Sequence, residues 1–186
     1  MTAENTQALG PFNRYVIWTQ GCFRNCSGCL AKDSQALDGG YEVETDTISR
    51  AVCQNKNIEG VTISGGEPFL QAEALTDVIS KIKANRDIGV ILYTGYDFHE
   101  IKDNPLCALC DLIIDGPYIH ELNDNLSLRG SSNQKIHLIT PRYKNEISLY
   151  GDKGRKIELL FRNGNITMIG VPDKKSLKTL GRRNEQ

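Results

Sequence analysis

Three of the chain's six cysteines fall within eight residues, Cys22-Phe23-Arg24-Asn25-Cys26-Ser27-Gly28-Cys29. The run follows directly on Arg14-Tyr15-Val16-Ile17-Trp18-Thr19, a β-branched and aromatic stretch that predicts a strand. Whatever the cysteines bind therefore sits at the C-terminal end of a strand. A CxxxCxxC loop offers three thiolates, enough for three corners of a cubane [4Fe–4S] cluster, and leaves the fourth iron without a ligand from the loop. An iron with an open site can bind a small molecule, whereas a four-cysteine cluster mainly carries electrons. The spacing points towards catalysis.

Zinc is the competing reading. Cys26-x-x-Cys29 and Cys107-x-x-Cys110 could together make a four-thiolate site. That arrangement leaves Cys22 unexplained, and the two pairs are further apart than a compact zinc ribbon allows. Disulfides are not expected, because Met1–Gly10 is polar and lacks the apolar run of a secretory signal; the expectation is a reducing cytoplasm. Cys53 falls off the apolar stripe of its helix and reads as a free thiol, and Cys107 and Cys110 as thiols on one helical face.

At 186 residues the chain suits one domain, and a domain of that size buries about 70% of its unfolded surface. The net charge is −1, and no basic block precedes Lys174-Lys175 and Arg182-Arg183. Nucleic acid is therefore not an expected partner. No apolar stretch is long enough to cross a membrane.

Strand and helix patterns alternate along the chain. A helix is expected from Thr45 or Asp46, either of which could cap it, with Ile48, Ala51 and Val52 as its apolar stripe. Val61–Ser64 predicts a strand, Leu75, Val78, Ile79 and Ile82 a helix, and Ile88–Tyr93 a strand. A polar helical segment near Tyr96–Lys102 and a strand over Asp111–Ile114 follow, then one more strand over Lys135–Ile139. This alternation predicts a parallel sheet with right-handed crossovers. In such sheets ligands gather at the C-terminal strand ends, where the cysteine loop, Gly65-Gly66 and Asp115 all fall. Ile157–Phe161 and Ile166–Ile169 flank Asn163-Gly164, a type I′ hairpin signal. Met1–Ala8 and Lys178–Gln186 read as disordered ends. The expected fold is α/β, an incomplete βα barrel of parallel strands with a C-terminal antiparallel hairpin. Residues 1–140 form its core and 141–186 an extension of the same domain.

Ser64-Gly65-Gly66-Glu67-Pro68 closes a strand and opens a helix. Two glycines let a ligand approach where a Cβ would collide, and Glu67 could accept from an ammonium group. Alone, the segment reads more readily as a plain strand-to-helix turn. Beside a CxxxCxxC loop, the chain resembles the radical S-adenosylmethionine (SAM) superfamily, and within it the small activating proteins of anaerobic ribonucleotide reductase. The resemblance rests on Gly28-Cys29, Ser64–Pro68, Tyr93-Thr94-Gly95-Tyr96, Ile114-Asp115-Gly116 and Arg129-Gly130-Ser131-Ser132-Asn133-Gln134, in the family's order.

The resemblance implies that Cys22, Cys26 and Cys29 hold a [4Fe–4S] cluster whose open iron binds SAM. It implies that Gly28 and Leu30 lie against SAM, and that Gly65, Gly66 and Glu67 hold its amino acid end. Asp115, Ser131 and Asn133 are carried over less directly; Asp115-Gly116 also reads as a turn and Ser131–Asn133 as a loop cap. On this basis a bulky residue at Gly66 would weaken SAM binding and spare the cluster. The implied partners are a large glycyl radical enzyme and an external reductant such as flavodoxin or ferredoxin.

Three features depart from the family. Leu30 replaces an aromatic residue, Phe23-Arg24-Asn25 replaces a histidine-containing sequence, and about fifty residues follow Gln134. These leave direct modification of a ribosomally made peptide precursor or a small molecule as an alternative, with the C-terminal ribbon pairing with an extended peptide. A non-catalytic module with a structural metal is the third reading.

Overall fold

The computed structural model describes residues 1–126, 128–148, 150, 155–162, 164–173 and 175–176. Six strands form one sheet in sequence order: β1 (Thr2–Thr6), β2 (Arg14–Thr19), β3 (Gly60–Gly65), β4 (Gly89–Tyr93), β5 (Leu112–Asp115) and β6 (Lys135–Leu138). β2 to β5 are parallel, with Ile17 beside Ile63, Ile63 beside Leu92 and Leu92 beside Ile113. The connections carry α1 (Thr45–Gln54), α2 (Ala72–Asn85), and the single-turn helices α3 (Phe98–Ile101) and α4 (Pro105–Ala108). The fold is thus mixed α/β with a mostly parallel sheet.

The central strands are apolar without a break because both faces are covered. Tyr15, Ile17, Val61, Ile63, Val90, Leu92 and Ile113 share one core with Leu75, Val78, Ile79 and Ile82 of α2. Those four helical positions are all buried, as their i, i+3, i+4, i+7 spacing predicts. On the other face Ile91, Leu112 and Ile114 meet Leu128 and Tyr143. Among the described residues no helix is long and apolar enough to cross a membrane.

The edges of the sheet differ from expectation. β1 lies antiparallel on β2, so Met1–Ala8 is not a disordered end: Trp18 donates its N–H to the Met1 carbonyl, and Ala3 is buried. β6 pairs antiparallel with β5. α1 starts at Thr45, but its cap residue is Glu44, which makes no side-chain cap bond. A separate two-stranded sheet of β7 (Glu158–Arg162) and β8 (Asn165–Ile169) forms the expected antiparallel ribbon. Asn163 of its turn and the tail Lys178–Gln186 lie outside the described residues.

Arg14 is fully buried at the N-terminal end of β2, with no carboxylate in ion-pair reach among the described residues. Its five N–H groups are all taken. Nε donates to Thr62 Oγ1 at 2.5 Å, one terminal nitrogen donates to Pro11 O and Tyr143 Oη, and the other to Val61 O and Gly89 O. A Cβ at Gly60 would fall on this guanidinium, and one at Gly89 on the Tyr143 hydroxyl. The bare backbone of two strands is what admits the cation.

Arg14→Met should destabilise the fold by about 3 kcal/mol or more in urea unfolding, because several buried acceptors lose their donor at once. A loss below about 1 kcal/mol would show that those acceptors find other partners.

Candidate active site

The cysteine loop is fixed to the strand ends through the backbone. Glu67 N–H donates to the Gly21 carbonyl at 2.8 Å and Gly66 N–H to the Thr19 carbonyl at 2.9 Å. A Cβ on Gly66 would fall on the Gly21 carbonyl oxygen and lie 2.7 Å from the Ser34 carbonyl oxygen. Gly65 has φ +104, and a Cβ there would lie 2.5 Å from the Thr19 carbonyl oxygen. Both glycines are demanded by the approach of β3 to the chain leaving β2, before any ligand is considered. The far end of the loop is tied back by Gly21 N–H to Ser34 O and Cys22 N–H to Gln35 O.

Glu67 binds the neighbouring strand end. Its side chain is only 2% exposed. Oε1 accepts from Thr94 Oγ1 at 2.8 Å and from Phe69 N–H at 3.1 Å; Oε2 accepts from Gly95 N–H at 2.9 Å. Three donors from the chain thus hold this buried carboxylate. Gly95 also opens a groove for the cysteine loop: a Cβ there would lie 3.2 Å from Arg24 Cγ. The Arg24 guanidinium stands 4.1 Å from the Tyr96 ring centroid and 3.8 Å from Glu100. Such a contact is worth about 0.5–1 kcal/mol at a partly exposed site. Arg24 and Tyr96 therefore clamp the loop from outside while Gly66 holds it from beneath.

A third support comes from the segment after β5. The Tyr118 backbone favours the Cys26 thiolate, and a Cβ on Gly28 (φ +69) would lie 2.8 Å from His120 Cβ. This segment is held by the Arg129–Gln134 run. Asn133 Nδ2 donates to Pro117 O at 2.8 Å, Ser131 Oγ accepts from Ile119 N–H at 3.1 Å, and Gln134 Nε2 donates to Gly116 O at 2.8 Å. Asn133 Oδ1 is buried without a hydrogen-bond partner among the described residues. Asp115 turns its carboxylate into the scaffold, accepting from Phe98 N–H at 2.7 Å and Lys135 N–H at 3.1 Å. Leu30 is exposed. Tyr118 and His120 carry no periodicity or spacing that marks them in the sequence, and Arg24 is visible there only as a departure.

Cys22, Cys26 and Cys29 are all half-buried free thiols. Burial pushes the Cys26 thiol up, opposed by the Tyr118 N–H; charge on Cys29 and Cys22 raises it further and Arg24 lowers it. The three sulfurs thus share one electrostatic neighbourhood. Among the described residues no three His, Cys, Asp or Glu side chains converge to hold a metal ion. A cubane takes one thiolate at each iron, so three cysteines on one loop can supply three of its four corners. The donor set fits a [4Fe–4S] cluster.

The four-thiolate zinc alternative fails on topology. Cys107 and Cys110 are buried in the core just before β5, at its N-terminal end, whereas the cysteine loop follows the C-terminal end of the parallel β2. Burial pushes the Cys107 thiol up to about 11 and the Cys110 thiol higher still. Cys107 Sγ donates to Ile101 O and Cys110 Sγ to Leu106 O.

Two outcomes follow from these contacts. Gly66→Ala should lower iron uptake on anaerobic reconstitution, because the added methyl displaces the cysteine loop; full uptake in that variant would refute the steric account. In the native apoprotein near pH 8, iodoacetamide should alkylate Cys22, Cys26 and Cys29 while Cys107 and Cys110 stay unmodified, as raised thiol pKa and burial both slow attack. Equal labelling of all five, read by peptide mass spectrometry, would contradict their placement.

The chain is similar to known proteins over the region that builds this site. A family model described as 4Fe-4S single cluster domain matches residues 8–137. The anaerobic ribonucleoside-triphosphate reductase-activating protein of Vibrio cholerae is 30% identical over 141 residues, covering 70% of this chain and 91% of that protein. The protein of the same description from Enterobacteria phage T4 is 30% identical over 132 residues, 68% of this chain and 85% of the relative. The pyruvate formate-lyase-activating enzyme of Staphylococcus epidermidis is 35% identical over 82 residues, 41% of this chain and 33% of the relative. A cysteine loop locked to the Gly65-Gly66 turn and relatives of this kind lead to one conclusion: the chain is an enzyme of the radical SAM activase family and carries that family's 4Fe-4S single cluster domain.

Proposed function

We propose that this protein installs a glycyl radical on a large partner enzyme, an anaerobic ribonucleotide reductase. The observation that carries the reading is the interlock of the cysteine loop with Gly66, Glu67 and Gly95 at neighbouring strand ends. The names of the relatives support the same activity. Cys22, Cys26 and Cys29 would hold the cluster, which would supply the electron for reductive cleavage of SAM and, through it, for hydrogen abstraction from a glycine.

The chain's own part is to bind and orient. Gly28 and Leu30 border the SAM site, and the Gly65–Glu67 turn receives its amino acid end through backbone groups, since the Glu67 carboxylate already carries three bonds. Asn133 Oδ1, buried and without a partner among the described residues, offers an acceptor to SAM. Asp115 and Ser131 act as positioning residues that hold the segments around the cysteine loop. We read the open sheet as the wall of an incomplete βα barrel, residues 1–140, whose missing side admits a macromolecule. An external reductant of flavodoxin or ferredoxin type supplies the electrons, and the free thiols suit a reducing cytoplasm.

The test is anaerobic incubation of reconstituted protein, SAM and reductant with intact reductase from the same organism, followed by EPR. A glycyl radical doublet on the reductase is expected, and Cys26→Ala should abolish both the doublet and methionine release. SAM cleavage with no radical on the reductase, and with hydrogen taken from a short peptide instead, would favour direct modification.

A further inference from the structure

The family model ends at residue 137, and β7 and β8 lie beyond it. One residue just before β7, Arg155, reaches back into the scaffold of the site. Its Nη1 donates to the Arg129 carbonyl and, at 2.9 Å, to the Gly130 carbonyl, and its Nη2 donates to Asn123 Oδ1. One guanidinium thus spans three acceptors on two loop segments. A rigid planar fork suits this task, whereas an ammonium offers a single point charge.

The two carbonyls belong to consecutive peptide units, those joining Arg129 to Gly130 and Gly130 to Ser131. In a trans peptide the C=O and N–H point in opposite directions. The N–H groups of these same two units are taken by Gln134, whose Oε1 accepts from Gly130 N–H at 2.8 Å and from Ser131 N–H at 3.2 Å. Gln134 therefore holds both peptide planes from one side and Arg155 holds them from the other. Among the described residues no other donor reaches the Arg129 and Gly130 carbonyls. Two fixed peptide planes set the direction in which the chain enters Ser131, Ser132 and Asn133.

The third contact carries the clamp towards the cysteine loop. Asn123 is buried, and its Nδ2 donates to Tyr118 Oη at 3.4 Å and to Pro172 O, just after β8, at 3.2 Å. Gly130 also meets this residue's partner: a Cβ there would lie 3.0 Å from Tyr118 Cδ2. Burial pushes the Arg155 pKa down, and the Asp124 carboxylate, itself 2.8 Å from Arg129, opposes that shift. A cation placed at such a cost is held by the bonds it makes.

We propose that Arg155 is a positioning residue for SAM: by fixing the two peptide planes before Ser131 it orients Asn133, whose Oδ1 meets the cofactor. The inference rests on the SAM contact given to Asn133 above. The C-terminal extension thereby supplies one half of a clamp whose other half, Gln134, lies within the matched family's stretch.

The test is SAM binding to the reconstituted holoprotein, measured by anaerobic equilibrium dialysis with labelled SAM. Arg155→Gln should raise the Kd for SAM by about tenfold or more, as hydrogen bonds from a charged group are lost. Its iron content should match that of the unaltered protein, because the cysteine loop is locked separately by Gly66 and Glu67. Arg155→Lys should share most of the loss; full recovery with lysine would show that charge alone suffices and would overturn the clamp. In an Asn133→Ala background, Arg155→Gln should cost little more, since the two residues act in series. Losses that simply multiply would overturn the positioning role. If the variants misfold, hydrogen exchange on the unaltered protein decides. SAM should slow exchange of the amides of residues 129–134 and also of 156–160, because a tie that favours SAM is favoured by SAM in return. Protection of 129–134 alone, or of neither segment, would overturn the tie. A glycyl radical still forming in any of those cases would leave the activase reading standing, whereas an unaltered holoprotein that binds no SAM would overturn both.

Discussion

The site depends on one backbone approach, that of the Gly65-Gly66 turn to the chain leaving β2. Parallel strands set side by side bring their C-terminal ends together, but they do not fix the loops that follow. Here the Glu67 N–H bonds to Gly21 immediately before the first cysteine, and residue 66 cannot carry a side chain. The loop that presents three thiols is thereby registered against the sheet. Gly95 and Arg24 repeat the device one strand further on, with a missing Cβ on one segment making room for a side chain of the other.

The two ends of the sheet are stabilised by related means with opposite charge. Glu67 is buried at the C-terminal ends and Arg14 at the N-terminal ends, each without an ion-pair partner among the described residues. Both are solvated by the chain: the carboxylate by two N–H groups and a hydroxyl, the guanidinium by three carbonyls and two hydroxyls. A buried charge is costly unless its hydrogen bonds are complete, and when they are complete it fixes several segments in one geometry. Glu67 joins β3 to β4. Arg14 joins β2, β3, β4 and Tyr143 beyond them.

Much of this was legible in the sequence, for physical reasons. β2 to β5 and α2 were readable because apolar periodicity reflects burial, and the strand-end location of the site follows from topology alone. The antiparallel ribbon was readable through its two apolar runs. What the sequence hid was the work of single side chains. Arg14 looks like an ordinary strand residue, and only its contacts reveal a buried cation. Ser131, Asn133 and Asp115 could be placed near the site by resemblance, yet their bonds run to backbone of the segments around the cysteine loop. Gly66 was expected to leave room for a ligand, and the sequence did not show that its missing Cβ also admits the Gly21 carbonyl. β1 was missed because its Thr2–Thr6 sequence is polar, and pairing with β2 overrides that local preference.

We propose that this interlocked loop holds a cluster with one iron open to SAM. EPR of the reduced, reconstituted protein before and after adding SAM tests it most directly. The account predicts a [4Fe–4S] signal whose line shape changes on adding SAM, as the open iron gains ligands. A cluster signal that SAM leaves unaltered, or a protein that takes up zinc and no iron, would contradict it.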